Sequence, residues 1–175
     1  MKEIKITTPL TKEVIRQLKV GDVVLITGRL FTARDLAHKL LFSSLKKKKK
    51  LPFNLKGQII YYTGPTNTPK GKTIGSCGPT TSSRMDKFTP SLLKAGLAAT
   101  MGKGQRGQEV ISAIKKFKAI YLVAPGGCGA YLSKRVKKAN VIKYRELGPE
   151  AIFYLEVENF PAVVAIDSRG KSIYN

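Results

Sequence analysis

Tryptophan is missing from this 175-residue chain, histidine occurs once and cysteine only twice. The two thiols, Cys77 and Cys128, are too far apart for a paired zinc motif and too few for a disulfide framework, so each is expected to be free. Acidic residues are scarce as well: 11 Asp and Glu face 32 Lys and Arg, a formal charge of +21. That imbalance must attract something anionic: nucleic acid, acidic lipid, an acidic subunit or a carboxylate substrate. Charge alone does not choose among them. No apolar run approaches the roughly 18 residues of a membrane span. The opening MKEIKITTPL lacks a signal-peptide core. A cytoplasmic protein without membrane contact is expected.

What is present suffices for a core. Hydrophobic residues make up 42% of the chain, and its length suits one domain, expected to span residues 1–175. Strand and helix signals alternate. KEIKITTPL reads as a strand, TKEVIRQLKVGD as a short turn or helix closed by Gly21, and residues 23 to 31 as a strand. Thr32 and Asp35, three apart, resemble a capping box opening a helix from Ala33 to Leu45, on which Arg34 and His38 share a face. That helix runs into Lys46 to Lys50, five lysines expected to form a solvated, mobile basic loop. LKGQIIYYTGP is a strand, residues 64 to 72 a loop, and Thr89-Pro90 caps and starts a helix ending at Gly96. LAATM and AIYLVAP read as strands around an amphipathic helix from Gln108 to Lys118. Gly126-Gly127 marks a helix from Cys128 to Lys138, and AIFYLEVENF and PAVVAIDSRGKSIY close the chain as two strands. The pattern is α/β with mixed sheets.

Three motifs compete for function. Gly102-Lys103-Gly104-Gln105-Arg106-Gly107 fits the dinucleotide fingerprint, yet the next strand ends in Ala124-Pro125 where an acidic ribose partner belongs, so the match reads as accidental. Gly71-Lys72-Thr73 resembles the tail of a phosphate-binding loop, but the first glycine position holds Thr66 and no helix signal follows. The third is GSCGPTTSSRMDKFTP, residues 75 to 90, taken with Arg34 and Lys103. Arginine pairs bidentately with carboxylates and lysine adds a point charge, so this cluster suits a small dicarboxylate. Thr80 and Thr81 follow the Gly78-Pro79 turn and could face a cleft. A threonine abstracts a proton only in a strongly electropositive surround or near a metal. A Ser/Thr-rich loop that merely caps the next helix fits the same residues, and spacing does not decide between the two.

GPTTSSRMD, TGRLFTARDLAHK, LKGQIIYYTGP, MGKG, PGGCGAYLSKRVK, GPEAIFYLEVENFP and VVAIDSRGKSIY together resemble the β subunit, or C-terminal domain, of the iron–sulfur class I fumarate hydratases and L-tartrate dehydratases. The resemblance spans nearly the whole chain. It implies a swivelling β/β/α fold and reversible hydration of fumarate to malate, or dehydration of a related diacid such as tartrate or mesaconate. It also implies a [4Fe-4S] cluster and a small dicarboxylate substrate. By the same resemblance Thr80 is the base for the proton on carbon, and Arg34, Arg84 and Lys103 hold carboxylates. His38, Asp35, Asp86 and Thr81 are secondary candidates, His38 and Asp35 as supports and Asp86 as the residue orienting Arg84 or capping locally. A cluster with one open iron needs three thiolates and this chain has two. The cluster, and the acid for the hydroxyl, are therefore expected on a separate α subunit in a heterodimer or heterotetramer. The alternative from charge alone, a nucleic-acid-binding module, asks for aromatics interleaved with basic residues, and Tyr61-Tyr62 read better as core.

Overall fold

A computed structural model describes residues 3–174. Its strands are β1 (Glu3–Thr7), β2 (Val23–Thr32), β3 (Ile59–Tyr61), β4 (Ala99–Gly102), β5 (Ile120–Val123), β6 (Val136–Lys143) and β7 (Ile152–Ile166). Its helices are α1 (Lys12–Gln17), α2 (Asp35–Lys46), α3 (Thr89–Lys94), α4 (Gln108–Phe117) and α5 (Gly129–Ser133), with 3-10 turns at Ser82–Met85 and Arg145–Glu150. Strands β1 to β5 run parallel in chain order. β7 lies antiparallel to β5 and, along its other edge, to β2. The second pairing closes β2, β3, β4, β5 and β7 into a five-stranded barrel. β1 pairs with the first half of β2, and β6 with the first half of β7.

Period-two burial explains the apolar runs. Ile59, Tyr61, Ile120 and Leu122 pack in one core with Val24, Ile26, Phe160 and Val164. Their chain neighbours Ile60, Tyr62 and Tyr121 pack in a second, against Ala37 and Leu41 of α2, Leu92 and Leu93 of α3, and Val110 and Ile114 of α4. Strands covered on both faces read as continuous hydrophobic segments rather than alternating ones. Tyr61 and Tyr62 are both fully buried, so neither is a stacking platform for bases. Among the described residues no helix is long and apolar enough to cross a membrane.

Several boundaries differ from the sequence expectation. The first strand was expected from Lys2, which lies outside the described residues, and β1 ends at Thr7, before Pro9. The helix expected from Cys128 to Lys138 stops at Ser133, and after a turn at Lys134-Arg135 the chain forms β6, an edge strand whose Lys137, Lys138 and Lys143 are exposed. Lysines on an edge discourage pairing with other chains, and they also disguise the strand as a helix surface. The two closing strands are one: β7 continues past Pro161 through an irregularity opposite Ile26/Gly28, where Asn159 takes φ 49°. The capping box does not form. Thr32 belongs to β2, and its buried hydroxyl donates to the Ala151 carbonyl and accepts from the Phe153 N–H. Arg34 is the residue preceding α2, without a side-chain cap. Thr89 lies inside the first turn of α3, preceded by Phe88. Of the five lysines expected in a basic loop, Lys46 closes α2 and Lys47 to Lys50 follow it, all exposed to solvent as expected.

Candidate active site at the carboxyl ends of parallel strands

Because β2, β3 and β4 are parallel neighbours, the segments leaving their carboxyl ends emerge on one side of the barrel. Open parallel sheets bind ligands at that end. Arg34 and Asp35 follow β2. The long connection after β3 returns to that strand's end, where the Thr80 N–H donates to the Tyr62 carbonyl at 2.7 Å. It then runs alongside the segment leaving β4: Lys103 N–H donates to Thr80 O at 3.2 Å and Ser82 N–H to Lys103 O at 2.9 Å. Thr81 and Lys103 thus form a short parallel bridge. This approach needs a residue without a side chain at the end of β4, because a Cβ on Gly102 would lie 2.1 Å from Ser82 Oγ and 3.1 Å from Thr80 O.

Beyond Thr81 the 3-10 turn carries Arg84 back toward α2. Its guanidinium forks onto Asp35, Nε donating to Oδ1 at 2.9 Å and Nη2 to Oδ2 at 2.8 Å. Arg34 Nε lies 3.6 Å from Glu150 Oε1 and 3.9 Å from Asp35 Oδ2, both beyond hydrogen-bonding distance. Partial burial favours the neutral form of Asp35, but hydrogen bonds from its own N–H and from Arg84, with the two guanidinium charges, outweigh it and hold the carboxyl below its usual range. Two sets of residues therefore converge: Arg34, Asp35 and Arg84 through ion pairs, and Thr80, Thr81 and Lys103 through backbone bonds. The short stretch from Thr80 to Arg84 joins them.

His38 lies beneath this surface, fully buried. Its Nδ1 is 2.8 Å from the Arg34 carbonyl, which can only accept, so Nδ1 carries the proton. Nε2 is buried without a partner among the described residues, and the ring meets Tyr62 edge-on at 5.1 Å. Burial, helped by the Arg106 charge, lowers its pKa from 6.5 to about 4. The ring supports α2 and is closed to solvent.

Asp86 departs from its expected task. It does not touch Arg84; Oδ1 accepts from Arg106 Nε at 2.7 Å and Oδ2 from the Gly107 N–H at 2.6 Å. Sequence reasoning missed Arg106, which sits inside a glycine pattern set aside as accidental, and Glu150 beside Arg34. Lysine and arginine are so abundant here that one buried arginine carries no compositional signal.

The cysteines offer no cluster site. Burial pushes the Cys77 thiol up to about 12, and Cys128 stands alone at the start of α5. Among the described residues no group of three or more His, Cys, Asp or Glu could hold a metal. A [4Fe-4S] cluster therefore does not fit this chain's donor set. A cleft of about 740 Å³ opens at the other end of the strands, between Leu10, Ile15, Lys56, Leu97 and Phe117, and none of the candidate residues lines it.

The architecture is thus a closed barrel whose parallel strands deliver arginines, a lysine and threonines to one end. Comparison with known proteins makes this specific: residues 1–175 match the family described as Fumarase C-terminus, and the chain belongs to it. It is 44% identical over 171 residues to a chain of Methanocaldococcus jannaschii provisionally named L(+)-tartrate dehydratase subunit beta, covering 94% of this chain and 88% of that one. It is 34% identical to the L(+)-tartrate dehydratase subunit beta of Escherichia coli K12, covering 99% and 87%. The aerobic class I fumarate hydratase of the same organism is 38% identical over 93% of this chain, which spans only 31% of that longer enzyme.

Proposed function

We propose that the chain is the β subunit of a hydro-lyase that reversibly adds water across the double bond of a four-carbon dicarboxylate, with fumarate and L-malate as the first pair to test. The reading is supported by one observation above the others: Thr80, Arg84, Arg34 and Lys103 belong to segments leaving three adjacent parallel strands on one side of the barrel. The chain's donor set does not fit a [4Fe-4S] cluster, so the cluster is assigned to a separate α subunit. "Subunit beta" in two relatives' names favours such a partner. The barrel would then be the element that swivels over the partner's cluster.

The chain's own contribution follows from charge. A proton on the carbon next to a carboxylate is weakly acidic, because its loss places a second negative charge beside the first. Pairing that carboxylate with Arg84 and Lys103, and the distal one with Arg34, stabilises the charge where it develops. Asp35 occupies Nε and one hydrogen of Nη2 of Arg84. A guanidinium has five N–H groups, so its remaining edge stays available to the substrate with its direction fixed. The same cations lower the cost of a Thr80 alkoxide, which makes Thr80 the base for the carbon proton. A second reading, L(+)-tartrate dehydration, is favoured by the 44% identity to the Methanocaldococcus jannaschii chain.

The test is anaerobic purification of the tagged chain from its own cells, followed by turnover assays with fumarate, L(+)-tartrate and mesaconate. A co-purifying iron–sulfur chain with fumarate turnover abolished by Thr80→Val supports the reading. Turnover of tartrate alone moves the substrate. Absence of any such partner, or full activity in Thr80→Val, sinks it.

A further inference from the structure

We infer that Arg106 is a positioning residue for carboxylate binding: its buried guanidinium locks the turn that carries Arg84 to the segment that carries Lys103. This rests on the functional reading above.

The side chain of Arg106 is completely inaccessible to solvent. Nε donates to Asp86 Oδ1 at 2.7 Å, Nη1 to Thr100 Oγ1 at 2.9 Å, and Nη2 to Thr89 Oγ1 at 2.8 Å. Those three acceptors stand on the residue closing the Ser82–Met85 turn, on β4 and on α3. One planar fork thus ties together three elements that converge beneath the site. The Tyr121 and Tyr62 rings lie near the guanidinium, with centroids 4.8 Å and 5.5 Å away. The Tyr121 hydroxyl donates to Gly104 O at 2.7 Å and lies 2.9 Å from Ser82 Oγ, a second link between the same two segments.

The glycine pattern that resembled a nucleotide fingerprint finds its reason here. Gly102 lets Ser82 approach β4, and Gly104 turns the chain at φ 81°. Gly107 brings its N–H to 2.6 Å from Asp86 Oδ2, where a Cβ would crowd the same oxygen at 3.1 Å. A charged group this deeply buried is costly unless every contact is made, and here it has a carboxylate, two hydroxyls and two aromatic faces. Thr80 shares a backbone bond with Lys103 but keeps a second anchor that Arg106 does not touch, its N–H on Tyr62 O. Loosening Arg106 should therefore shift the carboxylate clamps before it shifts the base.

The experiment uses Arg106→Lys, which keeps the charge but cannot reach three acceptors in one plane, and Thr100→Val, which deletes a single bond if the first variant folds poorly. In the reconstituted complex, KM for the diacid should rise roughly ten-fold or more, the loss expected for one misplaced charge-assisted hydrogen bond, and kcat should fall with it, because the same clamps stabilise the developing charge. Hydrogen exchange on the full chain should quicken at the amides of residues 81–86 and 103–107 and stay unchanged in β2 and β7. A merely structural arginine would lower kcat with KM intact, through loss of folded protein, or raise exchange everywhere; either result overturns the inference, as does unchanged KM. If the wild-type complex turns over no diacid, the functional reading has failed. The exchange pattern then still decides whether Arg106 holds the two segments.

Discussion

The single histidine allows an unusually clean test of the packing beneath the site. His38 is buried and donates through Nδ1 to the Arg34 carbonyl, so protonation places a charge at Nε2, where no acceptor waits. Its pKa falls from 6.5 in an open chain to about 4 in the fold, chiefly through burial. The unfolded state then binds more protons than the native state between those values, so stability is fully present above pH 6.5 and is lost as the pH falls toward 4. A shift of roughly 2.5 units corresponds to about 3 kcal/mol across the whole window, of which about 2 kcal/mol is gone by pH 5. For a chain of this length that lowers the melting temperature by about 4 to 8 °C. The assay is urea unfolding at pH 8, 7, 6 and 5 at constant ionic strength, comparing wild type with His38→Asn, whose amide can still donate to the Arg34 carbonyl. The variant starts less stable because it leaves a cavity, but its profile over this range should be nearly flat. Carboxylates titrate mostly below this window, and the comparison cancels what remains of them. A flat wild-type profile, or a variant falling just as steeply, would refute the assignment of His38 as a neutral support.

Two further outcomes follow from contacts near the site. Gly102→Ala would put a methyl 2.1 Å from Ser82 Oγ; it should destabilise the fold by about 1–3 kcal/mol, the usual cost of overpacking, and lower activity more than stability, because the segment pushed off β4 carries Thr80 and Thr81. Thermal melts beside turnover assays check both halves. Thr32→Val leaves the Phe153 N–H without its acceptor at the end of β2; a buried unsatisfied donor costs about 1–3 kcal/mol, measurable as a lower urea midpoint at unchanged slope, whereas Thr32→Ser should stay within about 1 kcal/mol of wild type.

The sequence was most readable where local chemistry and tertiary demand coincide. The period-3.6 pattern from Gln108 to Lys118 overran α4 by one residue, and the apolar AIYLVAP run, residues 119 to 125, enclosed β5 with one residue before it and two after. Pro90 marked the start of α3 for the same local reason. Legibility failed where a distant partner overrode local preference. Thr32 and Asp35 make a plausible cap, yet β2 extends through Thr32, whose hydroxyl finds an acceptor in the Ala151 carbonyl just before β7 and a donor in the Phe153 N–H on it. β6 was hidden because an edge strand facing water carries lysines, which a helix surface carries too. Pro161 separated two strand signals, but it pairs in register with Leu25 of β2 and, on the other edge of β7, falls between the stretches bonded to β6 and to β5, where among the described residues no neighbouring strand calls for its N–H. In the site, the residues named by motif fall in segments that meet, while their partners depend on three-dimensional proximity. Asp35 was legible as a brace for an arginine without revealing which, and Asp86 braces Arg106 instead of Arg84.

The charge excess, the loudest signal in the composition, bears least on the site. Arg34, Arg84 and Lys103 contribute three positive charges there, and Asp35 and Glu150 return two negative ones, a small part of +21. Much of the remainder is remote. Lys47 to Lys50 project from the end of α2, Lys137, Lys138 and Lys143 lie on β6, and Lys12, Lys56, Lys94 and Lys118 ring the cleft at the opposite strand ends. A four-residue strand such as β4 is roughly 13 Å long, already more than the Debye length of about 8 Å at physiological salt. Lysines at the far end are therefore screened from a dianion bound beyond Gly102, and they act on its encounter rate at low salt rather than on its affinity. Under the proposed function, affinity has to come from the few cations whose directions are fixed, and Asp35 from outside, with Arg106 from beneath, are the residues inferred to fix Arg84.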